Sequence, residues 1–127
     1  MDNYINTMVN SRKTETKPTI KNLLLEVKKH MDLCLKGEEI HTIVFYRIGS
    51  KYRIVNMPVP PVDSIGLQLE QSFNDFMNEL KISYSGVKLE GSMMIDTVTN
   101  VFVIGYNNYQ KNGTTVTKKG HKIEGIF

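Results

Sequence analysis

The chain has 127 residues, 40% of them apolar and 23% charged, which suits one hydrophobic core and one domain. Its net charge of +3 is segregated: basic residues lead acidic ones seven to four in 1–36, trail five to eight in 37–110 and lead four to one in 111–127, a layout that creates local fields able to steer partners. No apolar stretch approaches the ~20 residues of a membrane-spanning helix, the polar first twenty residues do not fit a secretory signal, and a lone cysteine, Cys34, excludes a disulfide framework or a multi-cysteine zinc site.

Residues 1–17 read as a polar arm, with Tyr4, Ile5 and Met8 spaced for at most a short docked helix. The remainder, 18–127, reads as a single domain. Ile20, Leu23, Leu24, Val27, Met31, Cys34 and Leu35 recur with the 3.6-residue period of a helix over 18–36,. Pro18 suits its first turn and Gly37 its C-terminal cap. Residues 40–48 are β-branched and aromatic, so they predict a strand. Apolar side chains alternate to both of its faces, as in a central strand. Gly49-Ser50 has the order of a type II′ hairpin turn, with a partner strand over 51–57. Pro58, Pro60 and Pro61 predict an extended crossing.

A second amphipathic helix follows over 64–81, capped by Asp63 or Ser64, with Leu69, Phe73, Phe76, Met77 and Leu80 on its inner face,. From Asp63 to Leu80 its charged residues are Asp63, Glu70, Asp75 and Glu79, with no base before Lys81. Strands are expected over 82–96, bent at Gly86 and Gly91, and over 101–106, apolar on both sides. Asn112-Gly113 predicts a hairpin with arms at 107–111 and 114–118. Lys118-Lys119-Gly120 is expected to turn the chain toward a last short strand over 121–127. The fold expected is α+β, an αββ-αββ layout. An antiparallel sheet of four to six strands carries both helices on one face, with Leu24, Val27, Phe45, Phe73, Phe76, Phe102 and Ile104 in one core.

The search for chemistry excludes more than it finds. Gly49-Ser50-Lys51 lacks the glycine spacing of a phosphate loop. No HExxH occurs, and the E-x-x-H spacing of Glu38-Glu39-Ile40-His41 spans a helix cap and a strand start, where the metal geometry of such a pair fails,. Cys34 falls on the apolar stripe, away from the electropositive exposure a reactive thiol needs. Glu90 and Asp96 could share a strand face, but Lys88 precedes the pair rather than following it, against a metal-dependent nuclease. No G-x-S-x-G elbow occurs. Neither a catalytic residue, a metal site nor a cofactor is expected. The clearest basic cluster is Tyr106, Tyr109, Lys111, Lys118, Lys119, His121 and Lys122, rings and bases of the kind that build nucleic-acid surfaces. Lysines on an edge strand also serve to prevent sheet-to-sheet association.

One block carries a family resemblance. The acidic helix runs through Phe73-Asn74-Asp75-Phe76-Met77, a strand ends Met94-Ile95-Asp96, and a second strand reads Val101-Phe102-Val103-Ile104-Gly105-Tyr106-Asn107. Over residues 40–109 this resembles the second half of small immunity antitoxins that neutralise secreted nuclease toxins. The chain departs from that family in lacking a tryptophan at the start of the third strand, in Asn107 standing where the family has an acid, and in its basic net charge. The resemblance implies a non-enzymatic α+β inhibitor that binds a larger protein, such as a nuclease or other nucleic-acid enzyme, through an acidic face, here Asp63, Glu70, Asp75 and Glu79. Phage or mobile-element origin fits the size. The alternative expectation is nucleic-acid binding through Tyr106, Tyr109, Lys111, Lys118, Lys119 and Lys122. Either reading is cytoplasmic, and either tolerates a homo-oligomer joined through a sheet edge.

Overall fold

The computed structural model describes residues 9–13, 18–34, 40–56, 64–82, 84 and 86–127, for 9–13 and Cys34 the backbone alone. The elements run β1 (Val9–Lys13), α1 (Pro18–Cys34), β2 (Ile40–Ile48), β3 (Lys51–Ile54), α2 (Ser64–Leu80), β4 (Lys88–Asp96), β5 (Val101–Asn112) and β6 (Thr115–Ile126). They form one six-stranded sheet in the order β1-β6-β5-β4-β2-β3. Five of its strands are antiparallel, and β1 lies parallel to β6 at one edge. The fold is α+β, with α1 and α2 side by side on the sheet. The αββ-αββ run sits inside this longer order. A docked helix at Tyr4 to Met8, the proline crossing, Asp63, Gly37 and the Cys34 side chain fall outside the described residues.

Alternation along each strand sends one set of side chains toward the helices. Ile43 and Phe45 of β2, Tyr52 and Ile54 of β3, Leu89, Met93 and Ile95 of β4, Phe102 and Ile104 of β5, and Ile123 of β6 are buried there. From above they meet Leu24, Val27 and Met31 of α1 and Leu69, Phe73, Phe76 and Met77 of α2. All seven core residues expected from periodicity lie in this cluster. Phe73 touches Phe45 with ring centroids 5.1 Å apart, and Phe76 stands edge-on to Phe102 at 5.9 Å, so aromatic pairs join the two layers beyond simple area burial.

Four expectations need correction. Residues 9–13, part of the expected arm, form a strand held by backbone pairing from Val9↔Gly120 to Lys13↔Glu124. The strand expected to begin at 82 begins at Lys88, because Gly86 adopts φ +107 and breaks the extended run. The second hairpin turns at Gly113-Thr114, one residue later than expected, with Asn112 opposite Thr115. Lys118-Lys119-Gly120 does not turn at all. It continues β6, since Gly120 is paired on one side with Asn107 and on the other with Val9, and two ladders outweigh a glycine's weak strand propensity.

The β3 edge is closed by side chains. Tyr52 donates its backbone N–H to Asn74 Oδ1 at 2.8 Å, and Asn74 Nδ2 donates to the Tyr52 carbonyl at 2.9 Å. Ile54 donates its N–H to Glu70 Oε2 at 3.2 Å. Beyond the short β3, Asn56 takes the place of a strand against β2, accepting from Val44 N–H at 2.8 Å and donating to the Thr42 carbonyl at 2.9 Å. Capped backbone groups cannot template another strand. Replacing Asn74 by Leu is expected to cost about 1–3 kcal/mol, the penalty for unsatisfied buried polar groups. Amide exchange at Tyr52 should accelerate more than at Ile104, deep in the sheet.

Candidate functional site: the open face of the sheet

With two helices on one face, the other face of the sheet has no covering layer among the described residues. β2 is a central strand as expected, between β4 and β3, and its side chains Ile40, Thr42, Val44, Tyr46 and Ile48 point to this face. Ile40, Val44 and Ile48 are exposed, as are Val55 beside them, Met94 of β4 and Ile126 of β6. Val101 and Val103 of β5 are half-buried on the same face, so the expectation of a fully buried strand holds for its inner side alone. Solvent-facing aliphatics at this density on adjacent strands are the feature that needs explanation. A shallow depression of about 590 Å3 lies in their midst, lined by Val44, Tyr46, Val55, Glu90, Ser92 and Gly105, with Lys88 and Asn107 at its rim.

Charge on this face is arranged around the depression. Glu90 Oε1 accepts from the Tyr109 hydroxyl at 2.7 Å, and Glu90 Oε2 pairs with Lys88 at 3.1 Å. The Tyr109 hydrogen bond, then that of Lys88, hold the Glu90 carboxyl below its usual range, and the same carboxylate raises Tyr109. Lys122 pairs with Glu124 at 3.5 Å. Asp96 accepts the backbone N–H groups of Thr99 and Val98, which lower its carboxyl and secure the β4–β5 turn.

The residues of the basic cluster divide between the two faces of the sheet. Tyr106 is buried on the inner face, against the expectation of an exposed ring, and stacks on His121 with centroids 4.8 Å apart. Lys119 is opposite Asn108, which is buried on that same inner side, whereas Lys118 and Lys122 project with Tyr109 and Gly105 to the open face. Lys111 is exposed near the hairpin tip. Tyr109, the remaining ring, is tethered through its hydroxyl. These positions offer no continuous stacking platform for bases.

The acidic helix divides as well. Glu70 is turned toward the sheet edge, where it pairs with Arg53 at 3.2 Å and accepts from Ile54. It is a structural carboxylate, and Asp63 lies outside the described residues. Asp75 and Glu79 are exposed on α2, Asp75 accepting from Gln71 at 2.9 Å. Asp75 and Glu26 flank a groove of about 320 Å3 between the helices. In its floor Ser72 donates to the Gln68 carbonyl and so accepts from His30 Nδ1 at 2.8 Å. That polarity gives the serine proton to the backbone, not to the histidine, the reverse of an activated nucleophile. His41 donates from Nε2 to Asp32 at 2.7 Å, and its buried Nδ1 has no hydrogen-bond partner among the described residues. Among the described residues no three His, Cys, Asp or Glu side chains gather as metal ligands, and no helix is long and apolar enough to cross a membrane.

Burial lowers the His121 imidazole below its ordinary 6.5, with Lys119 adding to the effect. Its neutral form is therefore favoured by folding, and the unfolded chain binds more protons below that pH. Stability from this group is complete above pH 6.5 and falls as pH drops toward the folded value,. Glu90 acts in the same direction lower down, below 4.5. The expected result is that His121→Phe flattens the stability curve just below pH 6.5 while leaving the more acidic limb, measured by urea titration at each pH.

The sequence reading missed Val44, Met94, Val55, Ser92 and Gly105 as a surface. The signal was present: strands apolar on both faces in a chain whose two helices can cover just one. Comparison with protein-family models, with curated proteins and with solved structures found no match.

Proposed function

We propose that the chain is a non-enzymatic binding protein of the inhibitor or immunity kind, that it acts in the cytoplasm on a larger protein, and that it recognises this partner through the open face of its sheet. The observation carrying the reading is the set of exposed aliphatic side chains on β2, β4 and β6, on a face that no element described here covers. Exposed apolar surface of this kind on a small domain marks an interaction site more often than an accident of composition. The side chains that could have suggested catalysis, Ser72, His30 and Glu90, are engaged in hydrogen bonds that hold the fold together.

A second surface has its own support: Asp75 and Glu79 lie four residues apart on the exposed side of α2, a ridge that could enter the basic cleft of a nucleic-acid enzyme. The two are separable. Immobilised protein is presented with a native lysate of the source cells, with and without nuclease treatment, and the capture is repeated with Val44→Asp/Met94→Asp and with Asp75→Lys/Glu79→Lys. Both variants should melt within about 0.5 kcal/mol of the parent, as solvated surface changes usually do. The reading predicts that a protein is retained after nuclease treatment and lost from the sheet variant by about 30-fold or more, the scale of a hot-spot residue. Loss confined to the helix variant transfers recognition to α2. Retention that disappears with nuclease treatment overturns protein binding in favour of nucleic acid.

A further inference from the structure

The depression in the open face has a floor built by the sequence. One row of the sheet crosses from Val44 to Ser92 to Gly105 to Lys122. Its two central members are small, a serine and a glycine, while the rows on either side carry Met94 with Val103 and Tyr46 with Glu90. A Cβ added at Gly105 would meet nothing within 4 Å, and no positive φ demands glycine there. The backbone gives no reason for a glycine at the centre of a strand, where it weakens packing and propensity. The space above it is the consequence that distinguishes it.

Charge around that space has one sign in excess. On β2 to β6 the open face presents Lys51, Lys88, Lys111, Lys118 and Lys122 against Glu90, Asp96 and Glu124, while Arg53 is engaged by Glu70 of α2 at the edge. The three acids are already met, by Tyr109 and Lys88, by backbone amides and by Lys122. Resting on the reading of this face as a protein-binding surface, we propose that the Ser92–Gly105 depression receives one bulky apolar side chain from an acidic segment of the partner. The apolar side chain fills the dent beside Val44, Tyr46 and Val55, and flanking carboxylates meet the surrounding lysines. A second copy of this chain is disfavoured because two such faces would oppose like charge. Nucleic acid is disfavoured because Val44, Val55, Ser92 and Gly105 around the depression give bases little to stack on,.

Gly105→Phe tests the proposal without threatening the fold, since it places a strand-favouring aromatic into open space. A phage-displayed library of random 16-residue peptides is selected on the intact protein. The leading peptide is then titrated against the parent, Gly105→Phe and Asp75→Lys/Glu79→Lys. The expected consensus is a single Trp, Phe or Leu flanked by Asp or Glu, with binding weakened by salt. Gly105→Phe should lose at least about 30-fold in affinity with an unchanged or raised melting temperature, and the helix variant should bind as the parent does. Peptides without acids or without an anchor overturn the proposal, as does equal binding by Gly105→Phe. If instead the helix variant alone fails, the docking site is wrong and the protein-binding reading survives on α2. If no peptide is enriched, the proposal falls, and the broader reading falls with it only if the lysate capture also retains no protein. A dimer in sedimentation that Gly105→Phe dissociates, or a 20-nucleotide strand that Gly105→Phe releases, assigns the depression to those occupants and overturns it equally.

Discussion

Replacing Phe76 by Ala is expected to lower the unfolding free energy by about 3–5 kcal/mol, the range for a buried aromatic. Phe76 is fully buried on the inner side of α2 and meets Phe102 near the start of β5. The truncation removes transfer energy and also leaves a void between two rigid layers that cannot both close on it. Its neighbour Phe73 bridges α2 to Phe45 and Tyr52, so the collapse that would soften the loss is blocked. Urea denaturation of the variant, with an unchanged slope, checks the result. A shift below about 1 kcal/mol would mean that this helix face is not seated on the sheet.

Gly91→Ala is expected to cost about 3 kcal/mol, at the upper end of overpacking penalties, although it adds one methyl group. A Cβ at Gly91 would fall on the carbonyl oxygen of Gly105 and within 2.7 Å of the Tyr106 Cα. Both are backbone atoms of the paired strand, with no rotamer to yield. The adjacent glycine across the ladder gives the opposite expectation, because Gly105 faces empty space. Two glycines on neighbouring strands thus separate a packing requirement from a surface feature. Parallel thermal melts of Gly91→Ala and Gly105→Ala read the contrast directly, and equal losses would refute it.

How far the residues announced this structure depends on what holds each part. The helices were legible because burial imposes a 3.6-residue period, and α1 starts at Pro18 while α2 places Leu69, Phe73, Phe76, Met77 and Leu80 inward as their spacing requires. The Gly49-Ser50 turn was legible for a local reason, and Gly49 has the positive φ of 79 that a II′ turn needs. β1 was not legible, since its pairing with β6 is made by backbone groups that every residue possesses. The registers of β5 and β6 were misread where local turn chemistry at Lys118-Lys119-Gly120 lost to ladders on both sides. The acidic helix was legible as a composition, but the commitment of Glu70 to Arg53 and Ile54 depends on a strand edge that no local pattern foretells. The open face was hidden for a related reason: a strand apolar on both sides looks covered on both until the covering layers are counted.

The parallel pairing of β1 with β6 also sets an order in time. Val9 is matched to Gly120, so during synthesis the earlier strand has no partner until more than a hundred further residues have been joined. At ribosomal rates of about 5–20 residues per second, that interval is on the order of 5–20 seconds. The antiparallel hairpins of β2 with β3 and β4 with β5 close over far shorter loops and can form meanwhile beneath the helices. A chain released before Thr115 would therefore carry the α2-capped edge at β3 already closed, while the outer edge of β5 stands open, available to any strand that reaches it.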